Sequence, residues 1–147
     1  MITVRKRPCP TCPYRRDVPS GIWAASEYGK LPGYDGDVPE QLTARATGLF
    51  HCHSQQEHLC AGWAGCHDMF NNLAMRMHGR DVDPAIYDYV SPVPLFASGA
   101  EAAEHGKRDL PRPGPEARRK ARQLLRMQER RAAVQVTAAT AAGKEDQ

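Results

Sequence analysis

The chain has 147 residues, with 20 Lys and Arg against 17 Asp and Glu, for a formal net charge of +3. That length suits one domain plus an extension, and no run approaches the roughly eighteen apolar residues of a membrane helix. Leu, Ile, Val and Phe together make up about a sixth of the chain, below the roughly 20% at which a conventional aliphatic core becomes doubtful.

Twelve prolines and twelve glycines favour turns over long elements. A domain so poor in large aliphatic residues needs a second source of stability, and a structural metal is the usual one. The five cysteines follow a charged start with no apolar leader behind it. The expected setting is a reducing cytoplasm, where cysteines serve as ligands or reactive thiols. The charge is uneven. Residues 1–110 carry 11 basic and 13 acidic side chains, whereas residues 111–147 carry 9 and 4, so the basic character belongs to the tail.

In chain order, residues 1–8 form a short basic lead-in, read as a strand ending at Pro8. Cys9-Pro10-Thr11-Cys12-Pro13 is a C-x-x-C knuckle that aims two sulfurs at one point, with prolines that keep it from continuing as a helix. Arg15-Arg16 beside Asp17 reads as a solvated group. Ser20 is a candidate N-cap for a helix to Leu31, stopped by Pro32-Gly33. Residues 32–41 read as loop.

Leu49 to His53 is an extended approach to a second half-site, with His51 and His53 on one side and Cys52 on the other. One continuous helix is expected from Cys60 to His78, with Trp63, Cys66/His67, Phe70, Leu73/Ala74 and Met77 as its apolar stripe and Gly79 as its stop. Cys60 would start that helix, where the dipole favours thiolate. Asp83-Pro84 opens a short helix, and Ser98 to Glu101 matches a capping box. After the linker at 111–115, residues 116–142 should be mostly helical. Their thin stripe of Ala117, Ala121, Leu124/Leu125 and Ala132 predicts a helix that is weakly docked or free.

Cys9, Cys12, Cys52 and Cys60 are therefore the candidate ligands of one metal centre. The C-x7-C spacing with histidines between leaves the second ligand pair open. Soft thiolates accept zinc, which is favoured, or a [4Fe–4S] cluster. Cys66 is either a fifth sulfur near the site or an ordinary core residue, the commoner case on an apolar stripe. His53 is a ligand or a donor to one, while His51, His58 and His67 read as ordinary. A thioredoxin-type redox pair is disfavoured by Pro10-Thr11 and by the missing βαβ pattern.

Pro8-Cys9-x-x-Cys12-Pro13-Tyr14-Arg15-Arg16-Asp17-x-Pro19, Phe50-His51-Cys52-His53 and Cys60-Ala61-Gly62-Trp63 resemble a family of small cysteine-rich actinobacterial and actinophage proteins of uncharacterised function. The resemblance covers residues 1–110 and excludes the tail. It implies Cys9, Cys12, Cys52 and Cys60 as metal ligands, with His53 as a substitute or supporting partner, and it implies no activity.

The expected fold class is α+β. Residues 1–110 form a small irregular, mostly helical, metal-stapled domain, and residues 111–147 form a basic helical tail, partly disordered. No Gly-rich phosphate loop, nucleophile elbow or H-E-x-x-H is present, so catalysis is not the leading expectation. The function expected is a nucleic-acid-associated or regulatory role. Arg118, Arg119, Lys120, Arg122, Arg126, Arg130 and Arg131 would meet DNA or RNA phosphate. An iron–sulfur redox sensor or electron carrier is the alternative, and an adaptor for a host or regulatory protein is a third reading. No membrane partner is expected.

Overall fold

Prolines and side-chain caps cut most of the chain into elements of one or two turns. The computed structural model describes residues 1–145. Six α-helices run in order: α1 (Ala25–Gly29), α2 (Val38–Thr43), α3 (Ala61–Cys66), α4 (Leu73–His78), α5 (Gly99–Arg108) and α6 (Pro115–Glu145). Single 3-10 turns lie at Leu31–Tyr34, Met69–Asn71, Gly79–Asp81 and Pro84–Asp88. The β part of the expected α+β class is reduced to isolated bridges. Ile2 pairs with Val82, Val4 with Leu59, Arg15 with Leu95 and His51 with Leu59. The fold is thus mostly helical, and the lead-in is a laced segment rather than a strand of a sheet.

The helix expected from Cys60 to His78 is interrupted twice. His67 is extended (φ −116°, ψ 157°). The Asp68 carboxylate then accepts the Phe70 N–H at 3.0 Å, and the Asn72 side chain accepts the Met75 N–H at 3.0 Å. Each side chain starts a new turn by competing with the continuing backbone ladder. The stripe breaks with the helix. Trp63 and Ala74 are buried, but Phe70 and Met77 are 64% and 55% exposed.

The helix expected after Ser20 also shortens, to α1. Ser20 does not cap it. Its hydroxyl instead donates to the Gly106 carbonyl at 3.0 Å and accepts the Asp109 N–H at 2.9 Å, tying this segment to α5. Gly21, at φ +91°, takes a backbone conformation that other residues rarely adopt. The Ser98 cap forms as expected, accepting the Glu101 N–H at 3.1 Å. Asp35 adds a cap from a distant turn, accepting Gly99 N–H at 2.7 Å and Ala100 N–H at 2.8 Å. α5 runs past Gly106, whose missing side chain leaves room for the Tyr28 ring.

Aromatic rings replace the missing aliphatics in the core. Phe50 meets Tyr14 edge-on at 6.0 Å and Tyr34 at 5.6 Å, and Tyr34 meets Trp63 at 5.7 Å. Cys9, Cys12, Cys52 and Cys60 are buried in the same cluster.

The helix expected over 116–142 forms as α6, docked in its first half and exposed in its second. In the docked half Ala117 and Leu124 are buried. Lys120 Nζ donates to the Pro10 carbonyl at 3.1 Å, and the Arg131 guanidinium reaches the Ser54 carbonyl. A stripe of one Ala and one Leu is thin, yet a small residue lets the helix approach closely enough for these polar clamps. From 132 to 143 every residue is exposed. At 1.5 Å per residue that segment projects about 18 Å. The last two residues of the expected tail, Asp146 and Gln147, lie outside the described residues. No helix among those described is long and apolar enough to cross a membrane.

Candidate metal centre

The first half-site is a rigid double turn. Cys12 N–H bonds the Cys9 carbonyl at 2.9 Å, and Arg15 N–H bonds the Cys12 carbonyl at 3.1 Å. Pro10 and Pro13 lack donors, so the turns cannot propagate as helix. The Trp23 indole N–H holds the Thr11 carbonyl at 2.8 Å, and Arg15 holds the Pro8 carbonyl at 3.1 Å.

The second half-site is a small hairpin. Cys52 N–H bonds the His58 carbonyl and Cys60 N–H bonds the Phe50 carbonyl, both at 2.8 Å. Cys60 then caps α3, its sulfur accepting the Trp63 N–H at 3.4 Å. A side chain at Gly62 would collide with the Cys12 sulfur and with Tyr14 Cβ. The absence of one lets the start of α3 lie against the knuckle. The sequence reading used Cys60-Ala61-Gly62-Trp63 only as a family motif, not as a sign of close packing at Gly62.

The four candidate sulfurs come together across the chain. Cys12 Sγ lies 3.8 Å from Cys60 Sγ, across 48 positions of sequence. Cys9 interacts with both Cys12 and Cys52. The contacts therefore run Cys52–Cys9–Cys12–Cys60, all four buried and none in a disulfide. They form a chain rather than a closed cage. No three His, Cys, Asp or Glu groups among the described residues already surround one ion position.

Hydrogen bonds from Cys12 and Cys52 hold the Cys9 thiol far below its ordinary range. Cys12 is pushed up, chiefly by its bonds to Cys60 and Cys9 and then by burial. Cys52 is pushed up by its bond to Cys9 and by burial. The cluster thus accommodates one negative charge readily and resists the next, because like charges crowd in a dry interior. A divalent cation removes that resistance. The cationic surroundings fit a thiolate centre too. Arg5 donates to Cys52 Sγ at 3.7 Å, and Arg15 feels the field of Cys9 and Cys12.

Distance tests the two candidate occupants. A tetrahedral zinc with Zn–S bonds of about 2.3 Å has sulfur–sulfur edges of about 3.8 Å. The Cys12–Cys60 separation equals such an edge. A cubane cluster interposes its own irons and sulfides between the ligating cysteines, which must then stand apart. The other sulfur pairs do not form such an edge set around one ion position among the described residues.

The remaining candidates lie elsewhere. His53 Nε2 is engaged by the Glu27 carboxylate at 2.8 Å, and its ring lies 4.4 Å from Trp23. That bond holds Glu27 below the usual carboxylate range. His53 therefore supports the knuckle from outside, through Trp23. Cys66 ends α3 beside His67, in a polar cavity of about 240 Å³ also lined by Asp35 and Asn72. Burial pushes its thiol up to about 12. His51, His58 and His67 each have a partner of their own: Gln56, Thr3 and Tyr14.

The basic candidates divide by helical angle. At 100° per residue, Arg118, Arg122, Arg126, Arg119 and Arg130 fall within an arc of about 120°, opposite Ala117 and Leu124. All five are exposed. Lys120 and Arg131 lie on the docked side and are occupied by the Pro10 and Ser54 carbonyls.

A family model described as a family of unknown function, DUF6283, matches residues 4–131. The chain belongs to that family. The match spans the knuckle, both cysteine half-sites and the docked half of α6, and it ends at Arg131, the last residue that clamps the helix. No curated protein and no solved structure matches the chain.

Proposed function

We propose that Cys9, Cys12, Cys52 and Cys60 hold one structural zinc ion, and that the module so stapled presents the arginine face of α6 to nucleic acid. The observation that carries the zinc reading is the 3.8 Å Cys12–Cys60 separation within a chain of four buried, unbridged cysteines. Zinc would supply charge neutralisation and a cross-link between the knuckle and the 52–60 hairpin, which matters in a domain short of aliphatic residues. The chain's own residues do the rest. Arg5 and the Trp63 N–H stabilise sulfur charge, Gly62 admits α3, and Lys120 fixes the helix to the knuckle backbone.

The nucleic-acid reading is supported by the division of charge on α6. Five arginines point to solvent while the cations on the opposite side are consumed in docking. Such a surface neutralises phosphates without reading bases.

Elemental analysis and a visible spectrum of protein purified without oxygen test the centre. About one zinc per chain and no colour is the expected result. Iron with inorganic sulfide and a broad visible band would replace this reading with the redox one. Cys12→Ser should lose the metal and the cooperative thermal transition; a variant that keeps both overturns the ligand assignment. Duplex DNA binding should weaken steeply with salt, and less steeply once Arg122 and Arg126 are neutralised.

A further inference from the structure

A second basic surface lies next to the loop that α6 clamps. Residues 3–7 with Gln55, His58 and Asp83 border a groove of about 550 Å³, whose cationic wall is Arg5, Lys6 and Arg7. The segment bearing the three consecutive cations is held rather than free. Ile2 N–H bonds the Asp81 carbonyl at 2.7 Å, Leu59 N–H bonds the Thr3 carbonyl at 2.9 Å, and Arg5 N–H bonds the Leu59 carbonyl at 3.3 Å. His58 is fixed against Thr3 Oγ1 at 2.7 Å. Among the described residues none of the three cations is paired with a carboxylate. Asp83, the acidic residue of the wall, already accepts the Ala85 N–H at 3.0 Å, and Glu57 lies 3.9 Å from His58.

We propose that this groove is a phosphate-binding site, taking the phosphodiester backbone of the nucleic acid that α6 contacts. The inference rests on the reading of the chain as a nucleic-acid binder. Continuity favours it. The Ser54 carbonyl receives Arg131 from α6, and the next residue, Gln55, already lines the groove. No Phe, Tyr or Trp lines the groove, and the His58 ring is held by Thr3, so the groove offers charge to a backbone more than a platform to a base. Arg5 also donates to Cys52 Sγ at 3.7 Å, which places this surface in direct contact with the candidate metal centre.

The test compares the salt dependence of binding by the full zinc-loaded chain to a DNA duplex of arbitrary sequence. Lys6→Gln with Arg7→Gln is used because both residues are exposed and neither is one of the cations that reach a cysteine sulfur. This pair should lower the slope of log K against log salt by about 1.8, near 0.9 for each phosphate no longer neutralised, with metal content unchanged. Arg122→Gln with Arg126→Gln should do the same independently. If the groove pair keeps the wild-type slope while the helix pair lowers it, the groove proposal falls and the helix reading stands. The reverse result keeps the groove and removes the helix. An intact protein that binds no duplex, or one that prefers polyglutamate at equal charge, overturns the groove as a nucleic-acid site.

Discussion

The two halves of α6 have similar backbones and different fates. Between Pro115 and Arg131 the helix buries Ala117 and Leu124 and clamps two carbonyls of the cysteine-bearing loops. Between 132 and 143 it is rich in Ala, Val and Thr, carries no charged residue, and is exposed throughout. Helical propensity sustains both halves, because alanine is the best helix former. Docking needs more, namely apolar residues at i and i+7 on one side with a cation near each end to reach across. The family match stops where docking stops.

The largest way to break that contrast is Ala117→Glu. An unpaired carboxylate at a site 1% exposed costs several kcal/mol. Amide protection over 115–131 should then fall to that of 132–143, measured by hydrogen exchange. Leu124→Ala should cost about 2 kcal/mol by denaturant titration, at the low end for a buried leucine because the site lies near the rim. It should weaken docking without displacing metal.

Acid should sharpen the contrast from the other side, through the body of the protein. Burial lowers the pKa of His67, although the Asp35 carboxylate opposes it. The unfolded chain therefore takes the proton first. Stability should be full above about pH 6.5, fall as pH drops below it, and level off beneath the folded pKa. His67→Gln should flatten that slope in thermal melts between about pH 7 and pH 5.5. A slope unchanged in the variant would show that His67 does not carry the acid sensitivity. The smallest effect is expected from truncation after Arg131, which should change global stability by less than about 0.5 kcal/mol. A larger loss would mean that the exposed half has a structural role.

How much of the site was legible follows the range of the forces involved. The Cys9–Cys12 turn was plain because Pro10 and Pro13 act on their own dihedrals. Cys60 could be read as a helix start for the same local reason, and its sulfur does cap α3. The break at His67 was not legible. Asp68 and Asn72 were polar residues inside a helical period, and only the folded chain reveals them as caps. His53 was open between ligand and supporting partner, and only the folded chain shows Glu27, 26 positions earlier, engaging its ring nitrogen. The stripe of α6 left docked and free alternatives open, and the buried Ala117 and Leu124 with the Lys120 and Arg131 clamps show that its first half is docked.

The amino-acid sequence by itself determined the features whose causes lie within a few residues. These are the proline-bounded knuckle, the Ser98 cap, the helical bias of α6 and the supply of five thiols with few aliphatics. Tertiary structure alone decided the pairings across long loops. It brought Cys12 against Cys60, set Lys120 and Arg131 inward while five arginines face out, and left the Arg5–Lys6–Arg7 segment lining a groove. Steric and hydrogen-bonding preferences act locally, whereas such meetings depend on loop closure and on which surfaces pack best once the chain has collapsed.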